Sequence, residues 1–183
     1  VKKDVIVQAS PNPSFPLANI AGVKYVIVTL RVAPGWLAQN NIVPQPERGQ
    51  TKLTASAYGR AIHTALKEVQ HRPTVIITDD TTDDTKEERC TVVDQHGTRM
   101  YDTSDFKVDF RIGFTGVRSA FCAAFAITYT EQPKENVDEV AMLNFAYAER
   151  CLVLTRGPDT NLLPSRNEVD NFLRSGKTVK LIQ

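Results

Sequence analysis

The stretch "TVIITDDTTDDTKEERCTVVD", residues 74 to 94, sets six carboxylates between two β-branched runs: Asp79, Asp80, Asp83, Asp84, Glu87 and Glu88. No other stretch of this chain looks as much like chemistry, so cation binding is tested here first. A calcium loop of the EF-hand kind needs alternating oxygen ligands, a glycine at its sixth position and a bidentate Glu at its twelfth. Neither Asp79 nor Asp83, taken as first residue, puts a glycine sixth. The Asp pair in "IITDD" resembles the strand-end pairs that hold magnesium in phosphoryl-transfer enzymes. Such sites also need a phosphate-binding partner loop, and none is found. The stretch is therefore read as the solvated tip of a hairpin, held apart by like charges, with an acidic partner-docking loop as its functional alternative.

Other chemistry fares no better. "RSGKT" (174–178) ends like a phosphate-binding loop, but that motif needs a glycine five residues before Gly176, where Asn171 stands. It reads as a helix C-cap. There is no G-x-S-x-G elbow for a serine nucleophile. His63, His71 and His96 are isolated and offer no zinc spacing. Cys90, Cys122 and Cys151 are an odd set without C-x-x-C, which argues for reduced thiols and against secretion. No catalytic residue, cofactor or metal is expected, and the chain reads as no enzyme.

Binding residues remain. Residues 1–72 hold nine Lys/Arg against three acids, residues 73–109 four against ten, and residues 110–183 nine against eight. Charge segregated in this way can present complementary patches to copies of the same chain or to other partners. The basic contacts singled out are Lys2, Lys3, Lys24, Arg31, Arg48, Lys52 and Arg60. Trp36, the only tryptophan, stands with Leu37 in "APGWLAQNN", which reads as a surface loop. An indole there either folds back over the sheet or anchors a partner or membrane contact.

The elements that position these residues follow from pattern. The chain is long enough to bury a core as a single domain, residues 1–183, and its apolar runs are too short to span a membrane. "DVIVQA" and "VKYVIVTLRV" read as strands. Leu53, Ala57, Tyr58, Ala61, Ile62, Ala65, Leu66 and Val69 recur at helical spacing, and Pro73 ends that helix. "TVIIT" and "CTVVD" pair as a hairpin around the acidic tip. "DQHGTRMYDTSD" reads as loop. "FKVDFRIGF" alternates strictly, and "AFCAAFAITYTE" reads as its hairpin partner. Asn136 with Glu139 and Ser165 with Glu168 mark capping boxes of two more helices. "CLVLT" and "KTVKLI" read as late strands. The sum is an α+β fold, a mostly antiparallel sheet packed against two or three helices, without the regular βαβ alternation of a nucleotide-binding sheet.

Two segments carry a resemblance. "KYVIVTLRV" followed by "TASAYGRAIHTALKEV", and "FRIGFTG" leading into "FAITYTEQ", resemble in order the early strand and long helix and the later hairpin of rhabdovirus matrix proteins. The chain departs from animal-virus members in having no Lys-rich tail beyond Lys2 and Lys3 and no P-P-x-Y or P-[ST]-A-P motif. The resemblance implies a non-enzymatic viral structural protein, of matrix or coat type, located in the virion and the host cytoplasm or nucleus. Its expected partners are further copies of itself, viral nucleoprotein or RNA, or an anionic membrane surface. The alternatives are a cellular adaptor or binding module of the same fold class and, last, a small enzyme.

Overall fold

The computed structural model describes residues 6–8, 23–67, 72–78, 89–108, 116–133, 135–156 and 163–182. They form two compact units: residues 1–101 with 181–183, and residues 102–180. The α+β class holds.

The first unit is built on strands β1 (Ile6–Gln8), β2 (Tyr25–Thr29), β3 (Thr74–Thr78), β4 (Arg89–Asp94) and β5 (Gly97–Asp102). A short β6 (Lys180–Leu181) completes a six-stranded sheet in the order β1-β2-β3-β4-β5-β6. β1 pairs parallel to β2, and β2 parallel to β3, whereas β3 and β4 are antiparallel. A parallel pair needs a long crossover. Here it runs from β2 through α1 (Ala33–Gln39) and α2 (Ala55–Ala65) into β3, so a βαβ unit stands where none was expected. Every residue of β2 is buried, as is every residue of β3 after Thr74, because both faces of the sheet are covered there. β5 occupies a stretch read as loop: residues 95 and 96 form a turn after Asp94, and the chain returns from Gly97.

Trp36 and Leu37 correct the surface-loop reading. Pro34 lies in the first turn of α1, a position where its missing N–H costs nothing, and the chain is helical from Ala33. The two side chains are 2% and 1% exposed, packed in a cluster with Val26, Val28, Ile62 and Leu66. They serve the core and present no knob to a partner or membrane. α2 lies against β3 and β4 at a glycine: a Cβ added to Gly59 would stand 2.8 Å from Val93 Cγ2 and 3.4 Å from Ile77 Cγ1.

The second unit is helical. A 3₁₀ turn (Ser104–Phe106) precedes α3 (Val117–Glu131), α4 (Glu139–Thr155) and α5 (Arg166–Leu173). Two strand expectations fail here. "AFCAAFAITYTE" is α3, and "CLVLT" is the end of α4. α3 has no charged residue from Ser119 to Thr130, and a segment apolar all round fits a buried helix as well as a central strand. The alternating run 106–114 falls outside the described residues from Asp109 onward. The capping box at Ser165 and Glu168 is present, but α4 is capped by Asp138, which accepts from Ala141 N at 3.0 Å, and not by Asn136. The core of this unit is aromatic: Tyr147 meets Phe121 edge-on with ring centroids 5.1 Å apart and Phe106 at 5.7 Å.

Candidate functional site

In sheets with parallel strands, ligands bind outside the carboxyl ends of those strands. In the first unit the described ends of β2 and β3 are Thr29 and Thr78, both buried. They are tied together by the chain leaving β2, where Leu30 N donates to Thr78 O at 2.8 Å and Val32 N to Thr29 O at 2.9 Å. The Thr29 hydroxyl has no hydrogen-bond partner among the described residues, and a buried hydroxyl left so is costly. The crossover helix α2 must run back against the strands, so its first turn lies at this same end. Thr54 Oγ1 caps it, accepting from Ala57 N at 3.2 Å. Arg60, one turn in, donates to Ser56 Oγ at 2.6 Å and to Glu47 Oε1 at 3.0 Å. The hydrogen bonds from Ser56 and Arg60 hold the Glu47 carboxyl below its usual range. Arg31, Arg48 and Lys52 are exposed on the segments that leave β2 and enter α2.

His63 belongs to the opposite end. It sits in the last turn of α2, facing Arg72 and Asp94, and Asp94 directly follows Val93, the partner of Val75 early in β3. Burial lowers its pKa, Arg72 adds to that, and Nε2 has no partner among the described residues. Its charged form is thus less favoured in the folded protein than in the unfolded chain. The folded pKa lies below the unfolded value near 6.5, so the stability His63 contributes is present above that value and is lost as pH falls through it. Between pH 7 and pH 5, wild-type urea midpoints should therefore fall relative to those of His63→Gln. Equal pH dependence in the two proteins would remove His63 from the account. The difference between the proteins is the readout, because Glu149 in the second unit titrates with the opposite sign over the same range.

In the second unit the start of α3 offers a different arrangement. Gly116 is its N-cap, with φ +79°, a left-handed backbone that glycine adopts without strain. No side chain caps the helix, and its first turn contains no acid, only Val117, Arg118, Ser119 and Ala120. The first N–H groups of a helix have no partner within it and carry the positive end of its dipole, a setting that favours a phosphate or carboxylate. Sequence reasoning missed this point by taking 120–131 as a strand. The run Gly113, Thr115, Gly116 ahead of an alanine-rich segment was the available signal.

The residues singled out from the sequence are otherwise scattered. Lys2, Lys3 and the whole acidic docking loop, Asp79, Asp80, Asp83, Asp84, Glu87 and Glu88, lie outside the described residues. Lys24, Arg31, Arg48 and Lys52 are exposed, and Arg60 is paired with Glu47. Among the described residues no three of His, Cys, Asp and Glu gather to hold a metal ion. Cys90 and Cys151 are buried, and burial pushes the Cys122 thiol up to about 12.

No protein-family model matches the chain, and no curated protein matches it. Solved structures do. Ribokinase from Thermotoga maritima aligns over 93% of this chain and 48% of its own, with 18% identity and a TM-score of 0.67. A nucleoside kinase of Methanocaldococcus jannaschii, described as an archaeal member of the ribokinase family, aligns over 89% of this chain and 45% of its own, with 14% identity and a TM-score of 0.56. Adenosine kinase of Trypanosoma brucei brucei aligns over 76% and 37%, with 12% identity and a TM-score of 0.56. The chain thus spans about half the length, or less, of these three structures. The likeness overturns the viral reading. The fold is that of sugar and nucleoside kinases and not of a rhabdovirus-type matrix protein. The matrix or coat description and the virion localisation rested on that resemblance and fall with it; the non-enzymatic assignment rested on the lack of a recognised catalytic motif, and the likeness to kinase structures overturns it as well. The physical reason is visible in the two segments concerned: the early strand and helix form a parallel βαβ crossover, and the supposed return strand of the later hairpin is α3.

Proposed function

We propose that this chain is part or all of a small-molecule kinase, moving a phosphoryl group from a nucleoside triphosphate to a hydroxyl of a sugar or nucleoside. The observation that carries this reading is the likeness in fold to ribokinase along nearly the whole chain. Phosphoryl transfer asks little covalent chemistry of a protein and much positioning and charge stabilisation. The chain's own features supply candidates for that work. The N–H groups opening α3 at Gly116 would receive phosphate oxygens, with no carboxylate in the first turn to repel them. The exposed Arg31, Arg48 and Lys52, on the segments that leave β2 and enter α2, would attract the triphosphate.

The test is formation of nucleoside diphosphate by the purified protein, given ATP and magnesium with ribose or with adenosine. Acceptor-dependent release of ADP is expected. Gly116→Ala should lower kcat/KM about fivefold to thirtyfold, because a Cβ at a left-handed position strains the helix start by about 1–2 kcal/mol and turns its N–H groups. Among the described residues nothing lies within 4 Å of a Cβ at Gly116, so the fold itself should survive. No ADP above the acceptor-free background, together with no calorimetric heat on adding ATP, would sink the proposal.

A further inference from the structure

α5 has little apolar hold on the second unit. Of its eight residues only Val169 is fully buried, Phe172 and Leu173 are half-buried, and the other five are polar or charged. A helix of that length does not persist in water by itself, so contacts with its neighbours keep it formed. Burying one valine and parts of two more side chains recovers little of the entropy lost in ordering the segment. Charged side chains make most of the remaining contacts.

Arg166, the first residue of α5, donates from Nη1 to Glu131 Oε2 at the end of α3 at 2.6 Å. The same guanidinium lies 4.3 Å from the centroid of the Phe145 ring of α4, a cation–π contact. Arg156, the C-cap of α4, donates from Nη2 to Glu168 Oε1 of α5. Arg166 and Glu131 are each 48% exposed and Glu168 50%, so solvent and salt reach both pairs. Exposed pairs contribute little apiece, which leaves α5 docked by a narrow margin. At its far end Phe172 meets the Phe106 ring with centroids 6.4 Å apart.

The chain on the C-terminal side is anchored separately. Asn144 of α4 accepts from Val179 N at 2.7 Å and donates to Thr178 Oγ1 at 3.2 Å, and Lys177 Nζ donates to Asp105 O at 2.9 Å. Between this anchor and α5 stands Gly176, with φ +86° and nothing among the described residues within 4 Å of a Cβ built on it. A glycine in the left-handed region with room around it can absorb a change of backbone angle. α3 and α4 pack on each other without α5, through Phe121 and Tyr147 edge-on at 5.1 Å.

We propose that α5 is an ionically latched lid: with Arg166–Glu131 and Arg156–Glu168 as its catches and Gly176 as its hinge, it opens as one piece while α3, α4 and residues 177–179 stay in place. Opening lifts Arg166 from the Phe145 ring. It also takes Phe172 from the Phe106 ring and from Lys177 Nζ, 5.1 Å from its centroid. Apolar surface that the closed unit hides is then bared. High ionic strength favours the open form, because screening weakens the catches and leaves the apolar contacts of α5 to hold alone.

Amide hydrogen exchange of the intact protein at pH 7 tests this in low and high salt, about 0.05 M and about 1 M sodium chloride, between which the Debye length falls to about 3 Å. Exchange rates of the Val169–Leu173 amides are divided by those of Tyr147–Cys151 in α4, the internal reference. That ratio should rise at least about threefold in high salt for wild type. In Arg166→Gln it should already be raised in low salt, with a smaller salt effect. α5 amides that exchange no faster than those of α4 overturn the proposal, since they would report only unfolding of the whole unit, and so does a wild-type ratio indifferent to salt. Should Arg166→Gln fail to fold, Glu131→Gln removes the same catch from the α3 side and takes its place.

Discussion

Replacing Trp36 with alanine should lower the stability of the protein by about 3–5 kcal/mol, the range for deleting a large aromatic side chain from a packed core. The indole is 2% exposed and belongs to the same buried cluster as Val26, Val28, Ile62, Leu66 and Leu37. Truncation leaves a cavity under α1 that the sheet cannot collapse to fill, since β2 is buried along its whole length. A domain's total stability is about 5–15 kcal/mol, so the variant stands near the limit of folding at physiological temperature. Trp36→Phe keeps most of the apolar volume and should cost much less. The measurement is urea unfolding followed by far-ultraviolet circular dichroism, with sedimentation velocity beside it. A midpoint close to wild type, accompanied by altered sedimentation, would return Trp36 to a surface role.

Gly59→Leu should destabilise by about 2–3 kcal/mol, the upper part of the range for overpacking. A glycine inside an exposed helix costs about 1 kcal/mol relative to alanine, so its presence in the middle of α2 needs a packing reason. That reason is the approach of the helix to the sheet. The first carbon of any side chain would stand 2.8 Å from Val93 Cγ2, and Val93 is held in β4 by its pairing with Val75 of β3. A β-branched valine in a strand has little rotamer freedom with which to give way. Gly59→Ala is the finer probe: the gain in helix propensity and the clash nearly cancel, and adding Val93→Ala should relieve the clash. The coupling energy from that double-mutant cycle should therefore be favourable and about 1 kcal/mol. Additive effects would mean that α2 does not rest on Val93.

Local signals in the sequence were read well where their cause is local. Ser165 and Glu168 form their capping box within four residues of chain, and it is present. The 3.6-residue period after Thr51 produced α2, shorter than expected at Ala55–Ala65. The β-branched runs "YVIVT" and "TVIIT" are strands. They also carried a signal that was missed. A run apolar at every position suits a strand covered on both faces, as in parallel pairing, better than a half-exposed antiparallel one. Pro34 lies in the stretch "APGWLAQNN" that reads as a surface loop, although proline also opens helices, and that reading puts Trp36 on the surface.

By itself, then, the sequence determined an α+β protein: where most elements lie, which of them are apolar, and how one helix start, at Ser165 and Glu168, is chemically marked. Tertiary structure decided the rest. Whether "AFCAAFAITYTE" becomes strand or helix depends on what covers it, since a uniformly apolar segment has no period to choose with, and α4 and the Phe106, Phe121 and Tyr147 rings settle it as helix. Whether β2 and β3 run parallel depends on a crossover of more than forty residues whose closure no local pattern records. The candidate site has the same origin. Thr29 and Thr78 are forty-nine residues apart in sequence, and they become neighbours at one sheet end only because the chain crosses over to pair β3 with β2.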